Sequence, residues 1–522
     1  MRNIELMHYR RALIIAAVAV VMMVGLYVAP ARGANIVVTN LYDRAIPAGD
    51  GQAFVRFDVS WDASWRASWT ETTPEATFTG CTNWDAAWIF VKYRCRDGAN
   101  TNWSHASLST NDSDHGAPAN STINVGLSTN SGGTNFGAGV FLYRSGNGNG
   151  SWTNTGVKLC WQYGADGVAK NTRVDLSVHA IEMVYVPQGS FYLGDGATND
   201  IIGQFEDGTN GMPFLVTNDN YVIYMGGGTN GNLGNNNASG MLVSDDFNDN
   251  ITKELPTAFP KGYNAFYCMK YEITQGQYTD FLNQLVDTQS TNRYASASTG
   301  SRYTIGTNVL GRYTNGAPTR ACNYINWLDN AAYADWAGLR PITELEYEKA
   351  CRGPLYPVTN ECAWGSITTI WLTGFAGGSD GSGTETAIPS SANCNIANSR
   401  LGPVRVGVYA TTNSSRQDAG ASYWGIMEMS GNLQERTVAV GNTTGREFTG
   451  VHGDGKLNDA GDADVSVLLW PQGAGTGERG GSWDGSPLWY TRVSDRRLVL
   501  NPYSRKGWIG GRAGRSVPGM NP

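Results

Sequence analysis

Short runs of alternating apolar and polar residues dominate the chain from residue 34 to about residue 180. The segment QAFVRFDVSW places four apolar side chains on one face of a strand, at Val55, Phe57, Val59 and Trp61. The segments AAWIFVKYRC and GVKLCWQYG repeat this pattern, and Gly, Asn, Ser and Thr separate the runs. Repeated half-buried strands with polar turns predict an all-β sandwich domain over residues 34–180.

Helical periodicity is confined to a few segments, of which NWLDNAAYADWAGLRPITELEYEKACRG is the clearest. It predicts one helix over about 328–337, a break at Gly338–Pro341, and a second helix after Thr343. Thr343 and Glu346 have the spacing of a capping box, which fixes the start of the second helix. A few helices among many short strands predict an irregular α+β domain over residues 181–522.

A stretch rich in Gly, Asn and Asp interrupts this second domain at about 195–255. Its composition predicts a long loop or insertion, with one hairpin around LVTNDNYVIYM. Loops of this length are usually functional or disordered, and the composition does not decide between the two.

Three tryptophans, Trp61, Trp65 and Trp69, recur every fourth residue in the predicted sandwich. This spacing keeps them on one face of a strand or a helix. One interpretation is an aromatic platform for sugar rings. The other, which is more frequent in proteins, is packing of large aromatic side chains.

The N-terminus has the pattern of a signal peptide over residues 1–33. Basic residues precede an apolar run from Ala12 to Val28, and Ala31-Arg32-Gly33 supplies a small-residue cleavage pattern. A membrane anchor is the alternative, but the run is shorter than the roughly 20 residues that a span needs. The sequence therefore predicts a secreted or cell-surface protein with no membrane span after cleavage.

Charge and cysteine content narrow the classes of partner and of cross-link. The net charge is -7 and no basic run occurs, so nucleic acid is excluded as a partner. Export would make the 8 cysteines candidates for disulfides. The pairing stays open, although Cys81 with Cys95 and Cys351 with Cys362 are close enough for local loops.

Five motifs occur in order along the second domain: MVYVPQGSFYLGD, AFYCMKYEITQGQYTDFLN, NYINWLDNAAYADWAGLRPITELEYEKACRG, YWGIMEMSGNLQE and ERGGSW. Together they resemble the formylglycine-generating enzyme, or sulfatase-modifying-factor, family over about residues 183–515. The resemblance implies a variant of the C-type-lectin fold, with two helices, several short twisted sheets and much irregular loop.

The resemblance does not extend to the family's metal ligands. Members that oxidise a sulfatase cysteine hold copper(I) with two cysteines, three and eight residues beyond the serine of RGGS. Soft thiolates select copper(I), but in this chain the two positions are Gly485 and Tyr490. Iron-dependent relatives use a His-x3-His-x-Glu pattern, which none of the 5 histidines forms. We therefore expect neither copper nor iron.

Two functions remain open for the groove that the resemblance places at Arg479, Ser482, Trp483, Gly485 and Tyr490. The first is a non-catalytic domain that binds an extracellular protein or carbohydrate ligand, or that assembles with itself. The alternative is a metal-dependent oxidoreductase of the same family with an altered active site.

Calcium is the cofactor that the resemblance supports. Family precedent places a structural Ca²⁺ against the backbone near Ser430, Gly431 and Leu433, with the Glu435 carboxylate completing a hard oxygen site. A second family site would begin at Asn393 with the Cys394 carbonyl, but its later acidic partner has no match. A third candidate lies in HGDGKLNDAGDAD at Asp454, Asn458, Asp462 and Asp464, where a solvated acidic loop is the alternative.

Overall fold

The computed structural model describes residues 36–519, apart from several short internal segments. The segments left out are 43–45, 73–76, 98–100, 197–200, 237–244, 249, 297–299, 397–400, 412–413, 465–468, 485–487 and 502–504. The predicted signal peptide lies outside the described residues. Within the described ranges, no helix is long and apolar enough to cross a membrane.

The N-terminal region is built from strands that join one hydrogen-bonded network. Its strands are β1 (Val37–Thr39), β2 (Ile46–Gly49), β3 (Gln52–Thr72), β4 (Thr77–Cys95), β5 (Ser104–His105), β6 (Ser121–Thr129), β7 (Asn135–Arg144), β8 (Gly148–Trp161) and β9 (Val174–Val186). The long strand β3 pairs with β8 and β4, and β4 also pairs with β7 and β9. This confirms a region rich in β-strands.

The remaining strands are short and mostly pair two by two. They are β10 (Phe191–Leu193), β11 (Phe205–Asp207), β12 (Phe214–Val216), β13 (Ile223–Met225), β14 (Leu233–Asn235), β15 (Lys253–Leu255), β16 (Phe266–Met269), β17 (Gly306–Thr307), β18 (Tyr313–Thr314), β19 (Gly374–Ala376), β20 (Thr386–Ile388), β21 (Glu435–Val438), β22 (Thr476–Arg479) and β23 (Gly514–Ser516). Much of the chain between them is irregular, as the sequence predicts.

Strand β9 connects the two predicted regions. It pairs along its length with β4, and its last four residues, Met183–Val186, pair with β16, which in turn pairs with β23. The expected boundary between residues 180 and 181 therefore falls inside a strand. The N-terminal region and the rest of the chain share a continuous sheet and do not meet at a linker.

Strand β4 contributes to two hydrophobic cores at once. Ile89 and Val91 point into a core made only of N-terminal residues, as the alternating pattern predicts. Trp88 and Phe90 point the other way, into a core shared with the helices. Because successive side chains of a strand alternate between its faces, this strand holds both cores together.

The described helices are α1 (Gln275–Leu282), α2 (Asp287–Arg293), α3 (Trp327–Trp336), α4 (Glu344–Arg352) and α5 (Thr443–Arg446). Of these, α3 and α4 are the two that the sequence predicts. The Thr343 side chain accepts from the Glu346 backbone and the Glu346 side chain accepts from the Thr343 backbone, so the predicted capping box is confirmed. Helices α1, α2 and α5 are too short for a clear periodicity, and the sequence did not reveal them.

The Gly- and Asn-rich insertion is folded where it is described. Strands β11, β14, β13 and β15 form a four-stranded sheet in that order. The predicted hairpin around LVTNDNYVIYM is wrong, because its two halves belong to different sheets. β12 pairs with β10, whereas β13 pairs with β14 and β15.

The three evenly spaced tryptophans serve packing. Trp61 is buried and donates its indole N–H to Asp85 over 2.8 Å, and Trp65 donates to Asn83 over 2.7 Å. Trp69 lies against the rings of Tyr423 and Trp424. They therefore do not form an exposed platform for sugars.

All eight cysteines are described, and no disulfide joins any of them. Cys81 and Cys95 lie near opposite ends of β4, so their Cα atoms are tens of ångströms apart at about 3.3 Å per residue. A disulfide allows less than about 7 Å between Cα atoms, which excludes this predicted pair in the fold. Cys351 and Cys362 belong to different packed clusters and are not joined either.

Candidate functional site

Two of the recognisable motifs lie side by side. β21, which continues GNLQE, pairs antiparallel with β22, which leads into GGSW, and Glu435 lies opposite Arg479. Gly480 follows with a φ of 95°, and a Cβ atom there would come within 2.8 Å of the Met429 carbonyl oxygen. Backbone geometry therefore requires a glycine at position 480, the first glycine of GGSW.

Arg479 is a fixed part of the core. Its guanidinium donates to Glu344 over 3.0 Å and to Glu348 over 2.6 Å, both on α4. A third bond, of 2.7 Å, reaches the Val493 carbonyl. The side chain is buried, so the structure places Arg479 inside the protein and not on the predicted ligand groove. Its role here is to join β22 to α4.

Glu344, Glu348 and Arg479 belong to a larger buried ionic network. Arg352 donates to Glu348 and to Glu361, and Arg496 donates to Glu344. Two arginines beside Glu348 hold the pKa of this carboxyl below its usual range, although burial opposes them. Pairing of this kind lets buried charges persist in a core, although Nε of Arg479 is buried without a hydrogen-bond partner.

Ser482 and Trp483 also use their polar atoms internally. The Ser482 hydroxyl donates to Asp484 over 2.9 Å, and the Trp483 indole donates to the Gly507 carbonyl over 2.8 Å. The backbone N–H of Trp483 donates to the Asn432 carbonyl. Both side chains are buried, so they support the chain around the groove without lining an open surface.

The segment after Trp483 is the exposed part of the predicted groove. Gly485 lies outside the described residues. Tyr490 is half-buried, with the Arg497 guanidinium 4.2 Å from the centre of its ring. Leu488 and Trp489 precede it in a short 3-10 helix and are 40% and 41% exposed. This segment presents an apolar and aromatic ridge to solvent.

One thiol lies next to this ridge, although the sequence gives no sign of it. The Cys362 sulfur is 3.6 Å from the Thr491 hydroxyl, one residue beyond Tyr490. Burial raises the pKa of Cys362 to about 12, so the group is a protonated thiol at neutral pH. Copper(I) takes thiolates, so a copper site at Cys362 would have to release this proton.

The predicted calcium segment packs tightly against its neighbours. The Ser430 hydroxyl donates to the Thr491 carbonyl over 2.6 Å, and the Gly431 N–H donates to the Gly480 carbonyl. The Leu433 N–H donates to Glu272 over 2.9 Å. In each of these bonds the segment supplies the donor, so none of them uses a carbonyl oxygen of the segment.

Glu435 lies in a cluster where carboxylates outnumber cations. One of its oxygens accepts from Arg512 over 2.6 Å, and the other is buried without a hydrogen-bond partner. Glu272 and Glu428 are buried close by, and burial raises the pKa of all three carboxyls, that of Glu428 to about 7. An unpartnered carboxylate oxygen is the type of hard donor that calcium takes.

Asn393 and Cys394 are engaged with a neighbouring segment. The Asn393 side chain accepts from the Ile370 N–H over 2.9 Å, and the Cys394 carbonyl accepts from the Leu372 N–H. The polar contact to Asn432 is made by Asn395, one residue further along. The second predicted calcium site thus has its side chain and carbonyl in use as hydrogen-bond acceptors.

The acidic loop at 452–464 is folded around its own hydrogen bonds. Asn458 accepts from the backbone N–H groups of Ala460 and Asp462, and Asp462 pairs with Arg293 over 2.9 Å. Asp464 has its N–H bonded to Asp335. In the described part of the chain, no group of three or more His, Cys, Asp or Glu side chains is arranged to hold a metal ion.

A comparison with models of protein families confirms the family relationship that the sequence motifs indicate. Residues 171–516 match the model of the sulfatase-modifying factor enzyme 1-like domain. This chain belongs to that family. The match begins just before β9 and ends at β23, so the family domain includes the strand that it shares with the N-terminal region.

A curated relative within the family is an enzyme. The chain is 31% identical over 115 residues to hercynine oxygenase of Mycolicibacterium smegmatis (strain ATCC 700084 / mc(2)155). The similar stretch covers 22% of this chain and 20% of the relative. The chain therefore matches about a fifth of the length of that relative.

Several residues of the family domain's buried polar clusters were not predicted from the sequence. Glu272 and Glu428 lie in two of the recognised motifs, and a carboxylate among apolar neighbours was the only sign that they are buried. Arg512 follows a pair of glycines near the C-terminus and gives no such signal. Cys362 comes to the ridge only through the fold.

Proposed function

We propose that this chain is a secreted or cell-surface protein whose family domain binds a partner and does not oxidise a cysteine. The observation that carries the proposal is the replacement of both copper-binding positions by Gly485 and Tyr490. The Cys362 thiol, which lies 3.6 Å from the Thr491 hydroxyl, is buried, and burial raises its pKa to about 12. Gly485 and Tyr490 themselves supply no thiolate for copper(I).

The binding surface that we propose is the ridge formed by Leu488, Trp489 and Tyr490. Exposed tryptophan and tyrosine side chains supply large contact areas and are enriched where proteins bind partners. Arg479, Ser482 and Trp483 would act beneath the ridge by fixing its backbone. The partner would be an extracellular protein or a carbohydrate, with self-assembly as a further outcome of a binding experiment.

Calcium has a structural role in this proposal. The backbone of Ser430, Gly431 and Leu433 would hold the ion together with Glu435. The excess of buried carboxylates around Arg512 supports a bound cation, because it would offset their mutual repulsion. The ion would stabilise the segment that carries the ridge, since Ser430 is bonded to Thr491.

The proposed architecture retains the finer parts of the sequence prediction. The N-terminal region would fold as a β-sandwich, and the family domain would adopt a variant of the C-type-lectin fold. The strand content and the short paired sheets of the family domain support this description. The C-type-lectin comparison rests on the family resemblance.

An altered oxidoreductase is the second candidate, and the similarity to hercynine oxygenase favours it. An iron site would need histidines that converge with a carboxylate. His105 and His179 instead bond to a carbonyl and to Gln284, and His452 accepts from the Ser516 N–H. These contacts favour structural roles, so we place this function second.

Copper(I) titration tests the proposal directly. Wild-type protein should show no tight copper(I) site in competition with a chelator, because Gly485 and Tyr490 stand where the family's two copper-binding cysteines would be. The double variant Gly485→Cys with Tyr490→Cys restores both positions and should gain a site, which makes it the matched positive control. Tight, stoichiometric copper(I) binding by the wild type would contradict the proposal.

A further inference from the structure

A groove of about 260 Å³ lies where the N-terminal region meets the family domain. Lys92 and Trp103 line it from the N-terminal side, and Gln284, Trp336 and Gly455 from the family side. The family match begins at residue 171, so one wall of the groove lies outside it. The groove therefore depends on both regions of this chain.

Two polar atoms of the groove's lining residues are buried without a hydrogen-bond partner. Gln284 has its amide nitrogen 2.9 Å from His179, which leaves its amide oxygen unpartnered. The indole N–H of Trp336 is also unpartnered. Both side chains are more than nine-tenths buried, and leaving such a group unsatisfied costs about 1–3 kcal/mol. Neither atom is exposed in this structure, so a ligand hydroxyl, which both donates and accepts, would satisfy either one once the side chain turns into the groove.

Lys92 adds a third polar group with unused capacity. Its ammonium donates to the Gly455 carbonyl over 3.1 Å and lies 5.0 Å from the centre of the Trp336 ring. Asp335 and Asp454 interact electrostatically with it from the family side. These carboxylates would repel an anion, so the charges favour a neutral ligand.

Trp103 provides an apolar part of the groove's lining. Its side chain is half-buried, and the Arg94 guanidinium lies 4.9 Å from its ring centre. Leu285, Val286 and Leu457 continue the apolar lining. Aromatic walls with a few converging polar groups are typical of small-molecule sites, and this volume lies just below the usual range of about 300–1,000 Å³.

We propose that this groove binds the ring of a single neutral sugar residue, packed on Trp103 with hydroxyls hydrogen-bonded to Gln284 and Lys92. The ring offers an apolar face to the tryptophan and several hydroxyls to the unpartnered atoms. The site is separate from the ridge at 488–490. A sugar site in this groove therefore does not depend on the proposed function.

Titration with methyl pyranosides tests the site. The probes are the methyl glycosides of glucose, galactose, mannose and N-acetylglucosamine, followed by saturation-transfer NMR on the full chain. At least one should bind saturably at millimolar concentration. Trp103→Ala should weaken it by about tenfold, because the stacking surface is lost. Val286→Trp, which fills the groove, should abolish it.

A matched control and a ridge variant separate this groove from other aromatic surfaces. Trp371 is 42% exposed elsewhere on the protein, so Trp371→Ala should bind as the wild type does, whereas Trp489→Ala reports whether a probe binds at the ridge instead. Thermal melting confirms that each variant is folded, and two groove variants are made in case one is not. The site is refuted if no probe binds, if both groove variants bind normally, or if Trp489→Ala alone loses binding.

Discussion

Trp88 of β4 donates its indole N–H to the backbone carbonyl of Ala337, 2.8 Å away at the end of α3. Both residues are fully buried. The Arg515 guanidinium of β23 lies 4.6 Å from the centre of the Trp88 ring and donates to the carbonyls of Leu127 and Gly338. The N-terminal region thus supplies part of the family domain's core.

Removal of this side chain should destabilise the whole chain. We expect Trp88→Ala to lower the free energy of unfolding by about 3–5 kcal/mol, since it leaves a large cavity. Urea unfolding followed by fluorescence and by circular dichroism should show one coincident transition. Trp371→Ala, at an exposed tryptophan, is the control and should change stability little. Two separate transitions, with only one affected, would contradict a shared core.

The buried network around Arg479 gives a second prediction. Arg479→Met leaves Glu344 and Glu348 with fewer partners inside the core, so we expect a loss of about 3–5 kcal/mol. Arg173→Met removes a solvent-exposed pair with Asp97 and should have little effect. Chemical denaturation compares the two. A ligand-contacting role for Arg479 would instead appear as lost binding with unchanged stability.

Buried histidine should make the protein sensitive to acid. Burial lowers the pKa of His179 from 6.5 to about 3, so the folded state excludes a proton that the unfolded state accepts. Stability should therefore fall as the pH drops from 6.5 towards 3. His179→Gln, which has no charge to gain, should reduce this slope in urea titrations at successive pH values. An unchanged slope would show that His179 does not contribute.

Part of the slope should remain in that variant. Burial also lowers the pKa of His105 and of His452. Their contributions have the same sign, since each excludes a proton in the folded state.

If Glu435 holds a calcium ion, removal of the ion by a chelator should lower the thermal stability of the protein. The thermal midpoint of the wild type should rise when Ca²⁺ is added after chelation, because the ion binds only the folded state. Glu435→Gln should be less stable and should also lose the response to Ca²⁺. Glu254→Gln, at an exposed carboxylate, should keep the response. A wild type that is indifferent to both chelator and Ca²⁺ would rule out the site.

The most reliable signal in the sequence was a local one, although another local signal, that of the hairpin, was wrong. The capping box at Thr343 and Glu346 involves atoms three residues apart, so it could be predicted. Trp88 and Phe90 were missed because a strand buried on both faces shows no alternation of polarity. The two carboxylate partners of Arg479 are more than 130 residues away along the chain, and the contact of Cys362 with Thr491 spans 129. Such contacts exist only once the chain is folded.

The recognisable motif therefore identified the family but not the role of each of its residues. Arg479 and Trp483 belong to the frame beneath the site, whereas the exposed ridge begins at Leu488. Residue type alone could not separate these positions, because burial decides which of them a ligand can reach.

Turnover of a peptide substrate tests the central claim most directly. Purified full-length protein is loaded with copper(I), supplied with oxygen and a reductant, and incubated with a sulfatase-type peptide that contains the target cysteine. Mass spectrometry then follows conversion of that cysteine to an aldehyde. We predict no conversion above a sample without protein. Catalytic conversion by the wild type, with more than one turnover per chain, would contradict the account.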